Sequence, residues 1–235
     1  MTDPVPGIPR TAAVVLAAGS GTRVGAETNK VLLPLDGVPI LARSVRTVLD
    51  VEGVHRIVLV VRPEDRDDVS AAVAPHLGAH DLWLVDGGEH RHDSEWQALQ
   101  VLAEDIEHDE LDVVAIHDAA RPLAGAELWR AVIDAAARHG AAIPVVESPQ
   151  LSHADGSLAP PRLVGVQTPQ AFRARDLLAA YRQAETEAFV GTDTAACLER
   201  YTEVAIAGVP STTANLKVTF PEDLGLAGAL LNPLD

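Results

Sequence analysis

Five short runs of small and β-branched apolar residues recur along this chain, each followed by a loop and a longer amphipathic stretch, and that rhythm leaves few folds open. The runs are Ala12 to Leu16, Arg56 to Val61, Leu82 to Val85, Val113 to Ile116 and Ala141 to Val146. Several are apolar throughout, as strands buried on both faces must be. After the first, Ile40, Leu41, Ser44, Val45, Val48 and Leu49 recur at helical spacing. The repeated β-loop-α unit predicts an α/β fold: a doubly wound, mostly parallel, Rossmann-like sheet with helices on both faces. Ligands of such sheets bind beyond the carboxyl ends of the strands, which selects the loops 17–30, 86–93 and 117–122.

The rest of the chain reads around that core. Residues 1–10 are polar and proline-rich, predicting a disordered tail ahead of a single domain over 11–235. Ser94-Glu-Trp-Gln97 has the form of a capping box and predicts a helix starting at Ser94, with 86–93 as the loop before it. From about 147 to 163 the sequence turns polar, with Asp155-Gly156 as a hairpin signal and Pro160-Pro161 near the end, predicting a protruding β-arm. Helices are expected near Ala174 to Glu187, from about Thr192, and in a last segment whose first turn holds Pro221, Glu222 and Asp223.

Charge narrows the partners. A net charge of −16 repels polyanions, and nucleic-acid affinity comes largely from neutralising phosphates, so neither nucleic acid nor an anionic membrane is expected as a partner. A small anionic substrate can still bind where cations and backbone N–H groups are focused. The one cysteine, Cys197, cannot form an intrachain disulfide and is expected as a buried hydrophobe. No apolar run reaches the length of a membrane span and the N-terminus lacks a signal-peptide core, so a cytoplasmic location is expected.

Sixteen of the eighteen basic residues are arginine, and the two lysines, Lys30 and Lys217, both fall in segments suited to phosphate. Lys30 closes the glycine-rich stretch that begins Leu16-Ala-Ala-Gly-Ser-Gly-Thr-Arg23. Its spacing departs from the dinucleotide fingerprint at Val24 and lacks the Walker Gly-Lys-Ser/Thr ending. What remains is a loop whose glycines admit phosphate oxygens to the backbone, with Arg23 and Lys30 supplying charge, although an ordinary strand-to-helix turn would also account for the glycines. His117-Asp-Ala-Ala-Arg-Pro122 puts Asp118 at the edge of a central strand, where it can meet substrate hydroxyls or a metal-bound phosphate, or merely pair with Arg121. His90-x-His92 is expected in exposed loop.

Six segments occur in one order over nearly the whole chain: the glycine loop ending in Lys30, Gly87-Gly-Glu-His-Arg-His-Asp-Ser94, His117-Asp-Ala-Ala-Arg-Pro122, Gln167-Thr-Pro-Gln-Ala-Phe172, Gly191-Thr-Asp193 and Asn215-Leu-Lys-Val-Thr219. Together they resemble the 2-C-methyl-D-erythritol 4-phosphate cytidylyltransferase family and its relatives that use ribitol 5-phosphate. The resemblance implies a Mg2+-dependent reaction in which a polyol phosphate attacks the α-phosphate of CTP and pyrophosphate leaves. It implies catalytic roles for Arg23, Lys30 and Lys217. It assigns CTP to Ala17, Ala18, Gly19, Ser20, Gly21, Gly88, Glu89, Ser94 and Ala119. It assigns the acceptor to Asp118, Ser148, Arg162, Thr192 and Asp193, the metal to Asp118, and a homodimer to the arm.

The departures lie mainly on the acceptor side. Glu147-Ser-Pro-Gln150 replaces the family's Asp-Thr with a following lysine, Pro160 stands where the arm arginine is expected with Arg162 two residues away, and Asn29-Lys30-Val31 replaces Pro-Lys-Gln. Methylerythritol phosphate is the first expectation for the acceptor, with ribitol 5-phosphate or another pentitol phosphate as the alternative. A CTP-binding protein without turnover is a further reading. A glycosyltransferase is disfavoured because His117-Asp-Ala-Ala occupies the place of its paired acidic metal motif.

Overall fold

The computed structural model describes residues 7–19, 29–147 and 164–232. Its strands are β1 (Thr11–Leu16), β2 (Pro34–Leu35), β3 (Val38–Pro39), β4 (Val54–Val61), β5 (Trp83–Asp86), β6 (Val113–Asp118), β7 (Ala141–Glu147), β8 (Val164–Val166), β9 (Gln170–Arg173) and β10 (Ile206–Pro210). Its α-helices are α1 (Ile40–Leu49), α2 (Arg66–Val73), α3 (Arg91–Glu107), α4 (Ala126–His139), α5 (Ala174–Thr186), α6 (Thr194–Tyr201) and α7 (Pro221–Leu231). The main sheet runs β10-β7-β9-β6-β1-β4-β5, with β8 paired to β7, while β2 and β3 form a small hairpin.

β1 pairs in parallel with both β4 and β6, and β5 extends the sheet beyond β4. Alternating side chains of these strands supply two cores. Ala13, Val15, Leu59, Val61, Val113 and Ala115 face α1, α2 and α4, where Leu41, Val45, Val69 and Trp129 pack. Ala12, Val14, Val58, Val60, Val114 and Ile116 face α3, α5 and α6, where Leu99, Leu102, Leu177, Tyr181 and Leu198 pack. Buried on both faces, these strands need apolar residues at every position, which is why their sequence is continuous rather than alternating. The chain leaves β1 for β4 on one side and β6 closes on the other, so the loops after β1 and β6 flank the point where strand order reverses.

The sheet is larger than the sequence pattern indicates. β9 runs antiparallel between β6 and β7, β8 is antiparallel to β7, and β10 is a parallel edge. β9 is short and begins at Gln170, so no apolar run announces it; Phe172 nevertheless is fully buried. Arg10, the last residue of the expected tail, is fastened to Asp112 by its backbone N–H at 2.8 Å and its guanidinium at 2.7 Å. Helix α3 starts at Arg91 rather than Ser94: the Asp93 carboxylate accepts the His90 N–H at 2.8 Å and caps the helix three residues early. In consequence His92 is not in exposed loop. It is buried in α3 and stacks on Tyr181 with ring centroids 4.6 Å apart. Cys197 is buried in α6. The arm expected at about 147–163 lies outside the described residues except for Glu147, the last residue of β7.

Phe172→Ala removes a fully buried ring from the strand that joins β6 to β7, and should cost about 3–5 kcal/mol in urea unfolding at neutral pH. A loss under about 1 kcal/mol would show that β9 is not an integral part of the sheet.

Candidate active site

β6 is buried along its whole length and ends in Asp118, so the strand delivers a carboxylate to the edge of the sheet with almost no water around it. Burial alone would raise the pKa of Asp118, but the neighbouring cations more than reverse this and hold it below the ordinary carboxylate range. Arg91 Nη1 donates to Asp118 Oδ1, Lys217 Nζ lies 2.7 Å from Oδ2, and Arg121 Nε lies 4.0 Å from Oδ2. Arg91 stays protonated against the cost of its burial because Asp118 and Glu95 both face it. Glu95, one turn along α3, accepts from Arg91 Nε at 2.8 Å, from Thr194 Oγ1 at 2.7 Å and from the Tyr181 hydroxyl. Burial pushes the Glu95 carboxyl upward.

Two of the sequence motifs meet to fix Lys217. Asn215 Nδ2 donates to Gln167 Oε1 and to the Thr168 carbonyl, both at 3.0 Å, while the Asn215 carbonyl accepts from Arg121 Nη1 at 2.7 Å. The Val218 N–H donates to the Ala120 carbonyl at 2.8 Å. Lys217 is therefore held from both sides by buried neighbours while its own side chain remains part-exposed toward Asp118. Thr168 also accepts the Asp118 N–H at 3.0 Å and sits 3.0 Å from His117 Nδ1. His117 Nε2 faces the Arg121 carbonyl at 3.1 Å. A carbonyl can only accept, so Nε2 carries the proton and Nδ1 accepts the Thr168 hydroxyl. Complete burial lowers the His117 pKa to about 4, so the ring is neutral and structural.

The loop from β5 to α3 is built on close backbone approach. A Cβ on Gly87 would lie 2.5 Å from Ala18 Cβ, and one on Gly88 2.2 Å from Asp93 Cβ, so neither position admits a side chain without movement. Ser94 Oγ accepts the Gly88 N–H and donates to the His90 carbonyl, both at 3.1 Å, which folds the loop onto the first turn of α3. Across the site, buried Asn29 caps the short 3-10 turn Lys30–Leu32 by accepting the Val31 N–H at 3.3 Å. Its amide donates to the Ala17 carbonyl at 3.1 Å and to Asp65 at 2.8 Å, and Arg62 holds Asp65 through both carboxylate oxygens. The backbone of Lys30 is thereby tied to the ends of β1 and β4.

These elements enclose a pocket of about 800 Å³ whose wall includes Ala17, Ala18, Gly19, Lys30, Gly88, Glu89, Ser94, Asp118 and Lys217. Arg62 and Arg91 line it too, and no pattern in the sequence gives either a role. Arg91 lies inside a motif already singled out, and its pairing with Glu95 becomes legible only when α3 is started at residue 91. Other expected residues are not brought in. Ala119 is fully buried, with its N–H on the Leu16 carbonyl and its carbonyl on Ser44 Oγ, and Ala120 lines the pocket in its place. Asp193 caps α6 by accepting the Ala196 N–H at 2.8 Å; neither it nor exposed Thr192 lines the pocket. Ser20, Gly21, Arg23, Ser148 and Arg162 lie outside the described residues.

A family model described as 2-C-methyl-D-erythritol 4-phosphate cytidylyltransferase matches residues 11–233. A protein of that name from Symbiobacterium thermophilum is 40% identical over 232 residues, covering 93% of this chain and 91% of the relative. Another, from Pelotomaculum thermopropionicum, is 36% identical over 230 residues, covering 94% of each. Among solved structures, the 4-diphosphocytidyl-2C-methyl-D-erythritol synthase of Anaerococcus prevotii superposes with a TM-score of 0.79 at 26% identity, over 96% of this chain and 99% of its own.

The buried His117 also sets a pH dependence. Folded, it takes up a proton only near pH 4; unfolded, it does so near 6.5, so between those values the unfolded chain carries more protons. Its contribution is constant above about pH 6.5 and costs roughly 3 kcal/mol of stability as pH falls to about 4. Urea unfolding of the wild type and His117→Gln across this range should give a shallower decline in the variant; parallel declines would contradict the assignment.

Proposed function

The chain belongs to the 2-C-methyl-D-erythritol 4-phosphate cytidylyltransferase family, and on that premise we propose that it condenses CTP with 2-C-methyl-D-erythritol 4-phosphate. The products are 4-diphosphocytidyl-2-C-methyl-D-erythritol and pyrophosphate, a step toward isoprenoid precursors. The observation that carries the reading is a single strand-end pocket lined by both lysines, the Gly87-Gly88 loop and Asp118.

An oxygen of the acceptor phosphate forms a bond to the α-phosphorus of CTP. The bond from that phosphorus to the bridging oxygen breaks, and its electron pair leaves with pyrophosphate. A phosphate monoester with a second pKa near 6 is already largely ionised at neutral pH, so no general base is required. The protein's part is alignment and stabilisation of charge. Lys30 and, by family resemblance, Arg23 serve the α-phosphate and the leaving group. Ala17, Ala18 and Gly19 border the triphosphate, and Gly88, Glu89 and Ser94 the nucleoside. Lys217 holds the attacking phosphate and Asp118 the polyol, with Lys217 kept in place by the carboxylate 2.7 Å away.

Mg2+ fits this donor set. It is commonly held by one or two carboxylates together with substrate phosphates and water. Asp118 is a buried pocket carboxylate whose oxygens can accept beyond their contacts with Arg91 and Lys217. When bound, the ion would neutralise charge on the triphosphate. A homodimer joined through the arm expected at about 147–163, with Ser148 and Arg162 near the acceptor, belongs to the same reading and is supported by exposed Val164 and Val166 on β8, the strand that follows in sequence. So does a cytoplasmic location: both substrates are water-soluble, and among the described residues no helix is long and apolar enough to cross a membrane.

The test is pyrophosphate release from CTP and Mg2+ with methylerythritol 4-phosphate and ribitol 5-phosphate in parallel. Release is expected with the first, and release with ribitol 5-phosphate alone would reassign the acceptor. Lys30→Ala and Lys217→Ala should each lower turnover by about a hundredfold or more with circular dichroism unchanged. Near-normal turnover in either variant would remove the role given to that lysine.

A further inference from the structure

Glu95 is fully buried, yet all of its hydrogen bonds go to polar groups from three separate helices. Arg91 comes from the first turn of α3, Tyr181 from α5 and Thr194 from the start of α6, and the latter two are also fully buried. A buried carboxylate is costly unless every partner is in place, and an apolar residue would join three helices more cheaply. What an apolar residue could not do is hold the plane of a guanidinium. Arg91 presents its Nε edge to Glu95 and its Nη1 to Asp118, so its orientation is fixed by two carboxylates at once. The charges alternate from Glu95 through Arg91 and Asp118 to Lys217.

We propose that Glu95 is a positioning residue for the acceptor half of the site: it orients Arg91, and through Arg91 the carboxylate of Asp118, while Tyr181 and Thr194 hold Glu95 in place. The same contact fastens the first residue of α6, Thr194, to α3, whose first turn lines the pocket through Arg91 and Ser94. Residues outside the pocket thereby govern how firmly the polyol phosphate is held. This rests on the cytidylyltransferase reading for the identity of the acceptor, and on the geometry alone for the coupling.

The experiment is a double-mutant cycle of Glu95→Gln and Arg91→Lys, read in parallel as kcat/KM for methylerythritol 4-phosphate with CTP and as its Kd by calorimetry on protein saturated with Mg2+ and α,β-methylene-CTP, whose α–β bridge cannot break. Glu95→Gln should weaken both by roughly tenfold while the KM for CTP changes less than about threefold, and the double variant should be no worse than Arg91→Lys within about threefold. Thr194→Val, which deletes one hydroxyl supporting Glu95, should show a smaller loss of the same kind that also vanishes in the Arg91→Lys background. This variant decides the matter should Glu95→Gln not fold. Multiplicative losses in the double variants, or an unchanged acceptor Kd in Thr194→Val and Glu95→Gln, would overturn the proposal. Absence of turnover in the wild type would instead overturn the cytidylyltransferase reading, and the cycle would still be read from Kd.

Discussion

A carboxylate buried at the end of a central strand stays ionised only if cations reach it, and around Asp118 Arg91 takes one oxygen while Lys217 takes the other. Each cation must then be carried to the same point by its own element. The first turn of α3, just after β5, brings Arg91. The 215–219 segment brings Lys217, fastened by Asn215 to Gln167 and Thr168 and by Val218 to Ala120. Thr168 in turn holds the Asp118 N–H and the neutral His117 ring. Three motifs far apart in sequence are thus one structural unit, and moving any of them changes the electrostatics of the strand end.

That arrangement explains how so acidic a chain can handle a triphosphate. A net charge of −16 disfavours anions over the surface as a whole. The pocket answers this locally with Lys30, Arg62, Arg91 and Lys217. Arg62 and Arg91 are engaged by carboxylates, so the cations are already placed before a substrate arrives, and little reorganisation is needed when charge develops during transfer. Asn29 shows the same economy on the other wall: where the family pattern has proline, an amide here ties the Lys30 turn to Ala17 and Asp65.

The parallel half of the sheet was legible because burial on both faces writes itself into continuous apolar runs, and the strand-end rule then selected the loops that line the pocket. β9 was not legible because a four-residue strand beginning with Gln170 is held by its neighbours on both sides rather than by its own pattern. The start of α3 was misplaced since Ser94 has the sequence signature of a cap, while the capping carboxylate is Asp93 and the Ser94 hydroxyl folds back on Gly88. That shift of three residues hid the Arg91–Glu95 pair. Glu95, Tyr181 and Thr194 are brought together only by packing, and no spacing in the sequence links them.

The most direct test of the Asp118 centre is a carbon-13 NMR titration of the side-chain carboxylates, with Asp118 assigned by comparison with Asp118→Asn. Its signal should remain that of the ionised form well below the ordinary aspartate value of about 3.9, and Lys217→Ala should move its midpoint upward. A midpoint at or above that ordinary value, unaffected by Lys217→Ala, would contradict the view that this carboxylate organises the cations of the site.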